Sequence, residues 1–124
     1  MIKDILYNLN DDVSSTMPSA YTRKINKYEY AYIPLFINNS NSEYSYKCLQ
    51  IDKHKYNYGD LVDLFIKLIY SYQEMTAIIN NYLLDPTNVS SLSEFNEMQA
   101  IRKEAKELAK EILEKYPVDS LNEL

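Results

Sequence analysis

This chain of 124 residues has one glycine, one cysteine, one histidine and no tryptophan. Each absence removes a class of site. A single glycine leaves no GxxxxGKS/T phosphate loop, no GxGxxG dinucleotide turn and no GxSxG nucleophile elbow, because these sites need a residue without Cβ at a sharp turn or against the ligand. One cysteine rules out an internal disulfide framework and any multi-cysteine zinc or iron–sulfur centre. With one histidine beside it, the usual donor sets for transition metals are missing, so neither metal nor cofactor is expected.

The composition is that of a globular protein, with 46% hydrophobic and 25% charged residues. The length suits one domain, residues 1–124, with one core. Asparagine, lysine, isoleucine and tyrosine have AT-rich codons and are abundant, and the 13 tyrosines outnumber the 3 phenylalanines. Codon bias does not choose between those two rings. Tyrosine adds a polar tip to a large apolar face, which suits half-buried surfaces and contacts. Met1-Ile2-Lys3-Asp4 starts with no signal-like run, and the most apolar stretch, residues 61–72, is broken by Asp63 and Lys67. The expectation is a soluble, cytoplasmic protein, of a bacterial host if phage- or plasmid-encoded.

Apolar periodicity divides the chain. Ile2, Ile5, Leu6 and Leu9 have helical spacing, and residues 13–20 are small and polar, so residues 1–20 read as a short helix and a linker. Residues 21–58 read as extended. The runs 28–37 and 44–53 flank a turn-forming Asn-Asn-Ser-Asn-Ser-Glu segment. A hairpin whose paired positions sum to 82 places Ile33 opposite Leu49, Ala31 opposite Ile51 and Glu29 opposite Lys53. It sorts the apolar residues, with Leu35 and Ile37, onto one face. Tyr28, Tyr30, Tyr32, Phe36, Tyr44 and Tyr46 fall on the other, and a one-residue slip would scramble the two. Pro34 lacks an amide donor, so its strand is expected to be an edge or irregular there. Residues 59–84 predict one helix and residues 91–116 a second, opened by Ser91-Leu-Ser-Glu94 as a capping box. Together, residues 59–116 form an antiparallel helical hairpin, and residues 117–124 are a tail. The fold class is α+β: a β-hairpin or small antiparallel sheet packed against a C-terminal helical hairpin.

Candidate chemistry is sparse. Cys48 and His54 lie six residues apart, about 20 Å along a straight strand, too far to share a hydrogen bond. Glu104, Glu107, Glu111 and Glu114 alternate with lysines, and pairs such as Glu111–Lys115 and Lys103–Glu107 describe a solvated helix face. Charge is uneven: residues 1–20 carry −2, residues 21–58 carry +3 and residues 59–124 carry −6. The one basic segment also holds eight of the thirteen tyrosines. Basic charge beside stacking rings is how single-stranded nucleic acid is held, which makes Arg23, Lys24, Lys27, Lys47, Lys53 and Lys55 candidate phosphate contacts. A charge of +3 on a chain of net charge −5 is a small footprint for that role. Docking on another protein or ribonucleoprotein complex is the favoured use of the tyrosines, with Tyr28, Tyr30, Tyr32, Phe36, Tyr44, Tyr46, Tyr56 and Tyr58 as contact residues.

The expected function is therefore non-catalytic protein binding. The AT-rich, acidic, compact chain suits a phage or mobile-element accessory protein that inhibits a host defence or nucleic-acid-handling complex, as anti-CRISPR-like proteins do. The alternatives are a virion or assembly component, for which a homodimer would be allowed, and a single-stranded nucleic-acid binder. No membrane partner is expected.

Overall fold

From residue 30 to 35 aromatic and proline positions alternate with apolar ones, and residues 28–40 form the central strand of a sheet. The computed structural model describes residues 1–123. A short helix α1 (Ile2–Leu6) precedes strands β1 (Asp11–Ser14), β2 (Tyr21–Ile25), β3 (Tyr28–Ser40) and β4 (Glu43–Asp52). Helices α2 (Tyr58–Lys67), α3 (Tyr72–Leu84) and α4 (Val89–Lys115) follow, and β5 (Asn122–Glu123) closes the described chain. The sheet order is β1-β4-β3-β2-β5, antiparallel except where β5 joins β2. The architecture is α+β.

The hairpin register is the expected one along most of its length: Ala31 pairs with Ile51, Ile33 with Leu49 and Leu35 with Lys47. Lys53 lies just past β4 and reaches Glu29 through a 3.0 Å ion pair. Beyond Leu35 the register shifts at a bulge, and Phe36 takes a φ of +53°. The bulge takes Phe36 off the tyrosine face. Its ring stacks on Tyr7 at 4.0 Å and packs against the core margin. Pro34 sits just before the bulge. It pairs with Cys48 beyond the last β2 contact at Tyr32, so β3 is central at its start and an edge at Pro34.

With glycine scarce, other residues supply the positive φ that tight turns require. Asn41 and Ser42, at +52° and +65°, form the two-residue β3–β4 connection, the pattern of a type I′ turn. Asn26, at +58°, opens the β2–β3 turn. The only glycine, Gly59, sits in the first turn of α2 without positive φ.

The core lies between the odd-numbered face of β3 and β4 and the helices. Ala31, Ile33 and Ile51 meet Leu61 and Phe65 of α2 and Ile101, Ala105 and Leu108 of α4, with Ile2 and Leu6 at one end. Full burial of each large side chain contributes about 1.5–3 kcal/mol. Tyr56 is also core. Its hydroxyl donates to the Tyr116 carbonyl, and burial, with Tyr116 nearby, pushes its pKa up to about 12.

Four local expectations are corrected. The predicted linker begins inside β1, where Asp11 and Val13 pair with Lys47 and Ser45; the weak strand propensity of Asp and Ser hid this edge strand. The single helix over 59–84 is two helices, parted at residues 68–71. Ser71 Oγ accepts from the Glu74 amide at 3.1 Å and Glu74 Oε1 accepts from the Ser71 amide at 3.2 Å. This reciprocal capping box starts α3 where apolar spacing runs on unbroken. Asn88, rather than Ser91, caps α4, accepting from the Ser91 amide at 3.0 Å. The expected tail also has structure: Leu121 packs against the core and Asn122–Glu123 pairs with Tyr21 and Thr22, while Leu124 lies outside the described residues.

A Cβ built on Gly59 meets only Asn57 Oδ1, at 3.8 Å. Gly59→Ala is therefore expected to stabilise the protein by about 0.5–1 kcal/mol through lower unfolded-state entropy. Urea denaturation checks this; unchanged or lower stability would contradict it.

Candidate functional site

Residues directly opposite in a ladder share a face, so the pairings define the outward surface of the sheet. Ile25 lies opposite Tyr28, Arg23 opposite Tyr30 and Tyr21 opposite Tyr32. Across β4, Tyr30 meets Asp52 and Tyr32 meets Gln50. Ala31 and Ile33 point the other way and are fully buried. The outward face therefore carries Tyr21, Tyr28, Tyr30 and Tyr32 from β2 and β3, and Tyr44, Tyr46 and Cys48 from β4.

Exposure grades across this face. Tyr28 and Ile25, beside the β2–β3 turn, are 56% and 42% exposed. Tyr30, Tyr32, Tyr44 and Tyr46 are half-buried. The rings of Tyr21 and Tyr32 stack at 4.9 Å. Burial, with Cys48, Tyr32 and Asp12 nearby, raises the Tyr21 pKa against a smaller opposing effect of Arg23. The Tyr46 pKa is raised by burial, then by Asp12, Cys48 and Tyr21.

The eight tyrosine and phenylalanine positions singled out from the sequence do not form one surface. Tyr28, Tyr30, Tyr32, Tyr44 and Tyr46 share the outward face. Phe36 leaves it at the bulge and lines a cleft of about 460 Å³ with Tyr7, Tyr46 and Lys47. Tyr56 is 3% exposed in the core, and Tyr58 begins α2 at 47% exposure. Sequence reasoning missed Tyr21 and Ile25 as members of the face. Their signal was the Asn26-Lys27 turn, which folds β2 onto β3.

The six candidate phosphate contacts are also dispersed. Arg23 is on the outward face, and Lys27 lies 5.7 Å over the Tyr28 ring. Lys24 lies opposite Glu29 in the ladder, and Lys53 donates to the Glu29 carboxylate at 3.0 Å. The Lys53 hydrogen bond, with Lys24 and His54 nearby, lowers the Glu29 pKa despite the opposing effect of burial. Lys47 is paired with Asp11 at 2.7 Å, and Lys55 lines a cleft with Asp60 and Asp63. Two of the six, Lys47 and Lys53, are thus engaged by carboxylates.

No catalytic pair forms from Cys48 and His54. Cys48 faces outward within β4, whereas His54 is in a 3₁₀ turn past its end, where its amide donates to Asp52 Oδ1 at 2.9 Å. Burial and then Asp12 push the Cys48 thiol pKa up, which suppresses the nucleophilic thiolate. Among the described residues no group of three His, Cys, Asp or Glu side chains could hold a metal ion. Of the α4 carboxylates, Glu107, Glu111 and Glu114 lie on an exposed face, with Glu114 3.9 Å from Lys110, while the partly buried Glu104 engages the Met1 ammonium at 3.4 Å.

No protein-family model, curated protein or solved structure matches this chain. Its helices also include none long and apolar enough to cross a membrane among the described residues.

A raised thiol pKa leaves less thiolate at neutral pH. Alkylation of Cys48 by iodoacetamide is therefore expected to rise with a pH midpoint above that of the urea-unfolded chain. Equal midpoints, or a lower one in the folded protein, would contradict this environment.

Proposed function

We propose that this chain is a non-catalytic protein-binding module that docks on another protein through the outward tyrosine face of its sheet. One observation carries the reading: the core helices pack on the opposite face, while Tyr28 and Ile25 stand 56% and 42% exposed beside Tyr30 and Tyr32. Tyrosine supplies a wide contact area with few rotamers to immobilise, and its hydroxyl can bond at the rim of a contact. Arg23 and Asp52 flank Tyr30 with opposite charges, so this row suits an apolar, hydrogen-bonding protein surface better than a polyanion.

The finer reading is an anti-CRISPR-like inhibitor from a phage or mobile element, which occupies a host defence or nucleic-acid-handling complex. It is supported by the compact acidic chain and its AT-rich composition. An assembly component would use the same face between copies of the chain.

The test replaces Tyr28, Tyr30 and Tyr32 with Ser and compares capture of a bacterial host's complexes, thermal melting and light scattering with the parent chain. The expected variant melts cooperatively and loses its captured complex, weakening binding by at least about 30-fold, the effect of removing one strong contact residue. Equal capture by both proteins, or collapse of the fold, would contradict the proposal. An oligomer in the parent that dissociates in the variant would assign the face to self-association.

A further inference from the structure

Residues 68–101 contain no lysine, arginine or histidine, but they do contain Glu74, Asp85, Glu94 and Glu97. This stretch comprises α3 and the first half of α4, a part of the molecule remote in sequence from the tyrosine face. No residue of α3 is buried. The buried positions of α4 begin only at Met98, so its first turns lie outside the main core. Tyr82 and Phe95 stack at 4.1 Å between the two helices, but the apolar surface is not fully covered. Leu83, Leu84 and Val89, at the connection, are 67%, 84% and 83% exposed.

A cleft of about 440 Å³ runs between these helices, with Tyr70, Ala77 and Ile78 among its apolar lining and Glu74, Glu94 and Glu97 around it. The carboxylates are close enough to act on the lining: burial raises the Tyr70 pKa, and Glu97, Glu74 and Glu94 add to the shift. The cationic group at the cleft, the Met1 ammonium, is engaged by Glu104 at 3.4 Å and Asp4 at 3.7 Å. The acidic rim therefore keeps its negative potential beside the apolar lining of the cleft.

We infer that the α3–α4 cleft is a second docking surface, whose occupant is a basic amphipathic helix of another protein. Such a helix inserts apolar side chains between α3 and α4 and sets lysines or arginines against Glu74, Glu94 and Glu97, completing a three-helix packing. Charge complementarity selects this occupant. A nucleic acid would be repelled by the same rim, and the basic residues on the chain's own α4 are interleaved with glutamates, which makes a second copy a poor match. The inference is independent of the tyrosine face, so a protein could engage one surface without the other.

The test uses the full chain and a fluorescent peptide of about 18 residues, long enough for five helical turns, with leucine and lysine at amphipathic helical spacing. A matched peptide carries glutamate for lysine. Fluorescence anisotropy should show saturable binding of the lysine peptide, weakening as salt rises, and none of the glutamate peptide. The triple variant Glu74→Gln, Glu94→Gln, Glu97→Gln, in which glutamine keeps the α3 capping box, should weaken binding by about tenfold or more, given three partly exposed charge contacts. The control triple Glu107→Gln, Glu111→Gln, Glu114→Gln changes net charge equally elsewhere on α4 and should change affinity less than about twofold, as screened distant charges do. Ala77→Phe, which fills the cleft without altering charge, should weaken binding as well. Equal losses in the two triple variants would reduce the effect to net charge and overturn the inference. So would equal binding of both peptides, or no saturation by about 1 mM, an affinity near −4 kcal/mol. A concentration-dependent dimer abolished by the Glu74, Glu94 and Glu97 changes would replace the foreign helix with a second copy.

Discussion

The packing of β3's inner row against two helices is the constraint on which the rest of the molecule depends. Ala31 and Ile33 are fully buried, and so are Leu61 and Phe65 opposite them. These contacts fix which face of every strand looks outward, because side chains alternate with a period of two. The tyrosines reach the outer surface as a consequence of that burial. If the register moved by one residue, the helices would cover tyrosine hydroxyls and the branched apolar residues would face water.

The same constraint shows which parts were legible in the sequence. The hairpin register could be read because alternation over residues 28–35 sorted apolar from aromatic so sharply. Met98, Ile101, Ala105, Leu108 and Ile112 of α4 could be read because steps of three and four mark one buried stripe, and all five are buried. The break between α2 and α3 was hidden: Leu68, Ile69 and Tyr70 preserve apolar spacing through a gap that depends on two hydrogen bonds between Ser71 and Glu74. Edge strand β1 was hidden for the opposite reason, since Asp11, Asp12 and Ser14 have little strand propensity and are held by pairing with β4.

The candidate surface was only half legible. Parity assigned Tyr28, Tyr30 and Tyr32 correctly to one face, but it could not foresee the positive φ at Phe36 that breaks the parity beyond Leu35. Nor could parity place Tyr56, which lies past β4 and turns into the core against the Tyr116 carbonyl. The basic character of residues 21–58 was only partly carried through to the surface. Lys47 and Lys53 meet Asp11 and Glu29, and their charges are offset where they stand. Scarcity of glycine proved compatible with tight hairpins, since asparagine and serine hold the positive φ instead.

The central claim is that helices cover one face of the sheet and leave the tyrosine face open. Hydroxyl-radical footprinting of the chain alone, read tyrosine by tyrosine by mass spectrometry, tests it most directly. Among the tyrosines of the sheet Tyr28 should oxidise fastest and Tyr30 and Tyr32 at intermediate rates, with the core Tyr56 slower than all three. Protection of Tyr28 and Tyr30 to the level of Tyr56 in the monomeric chain would contradict the account.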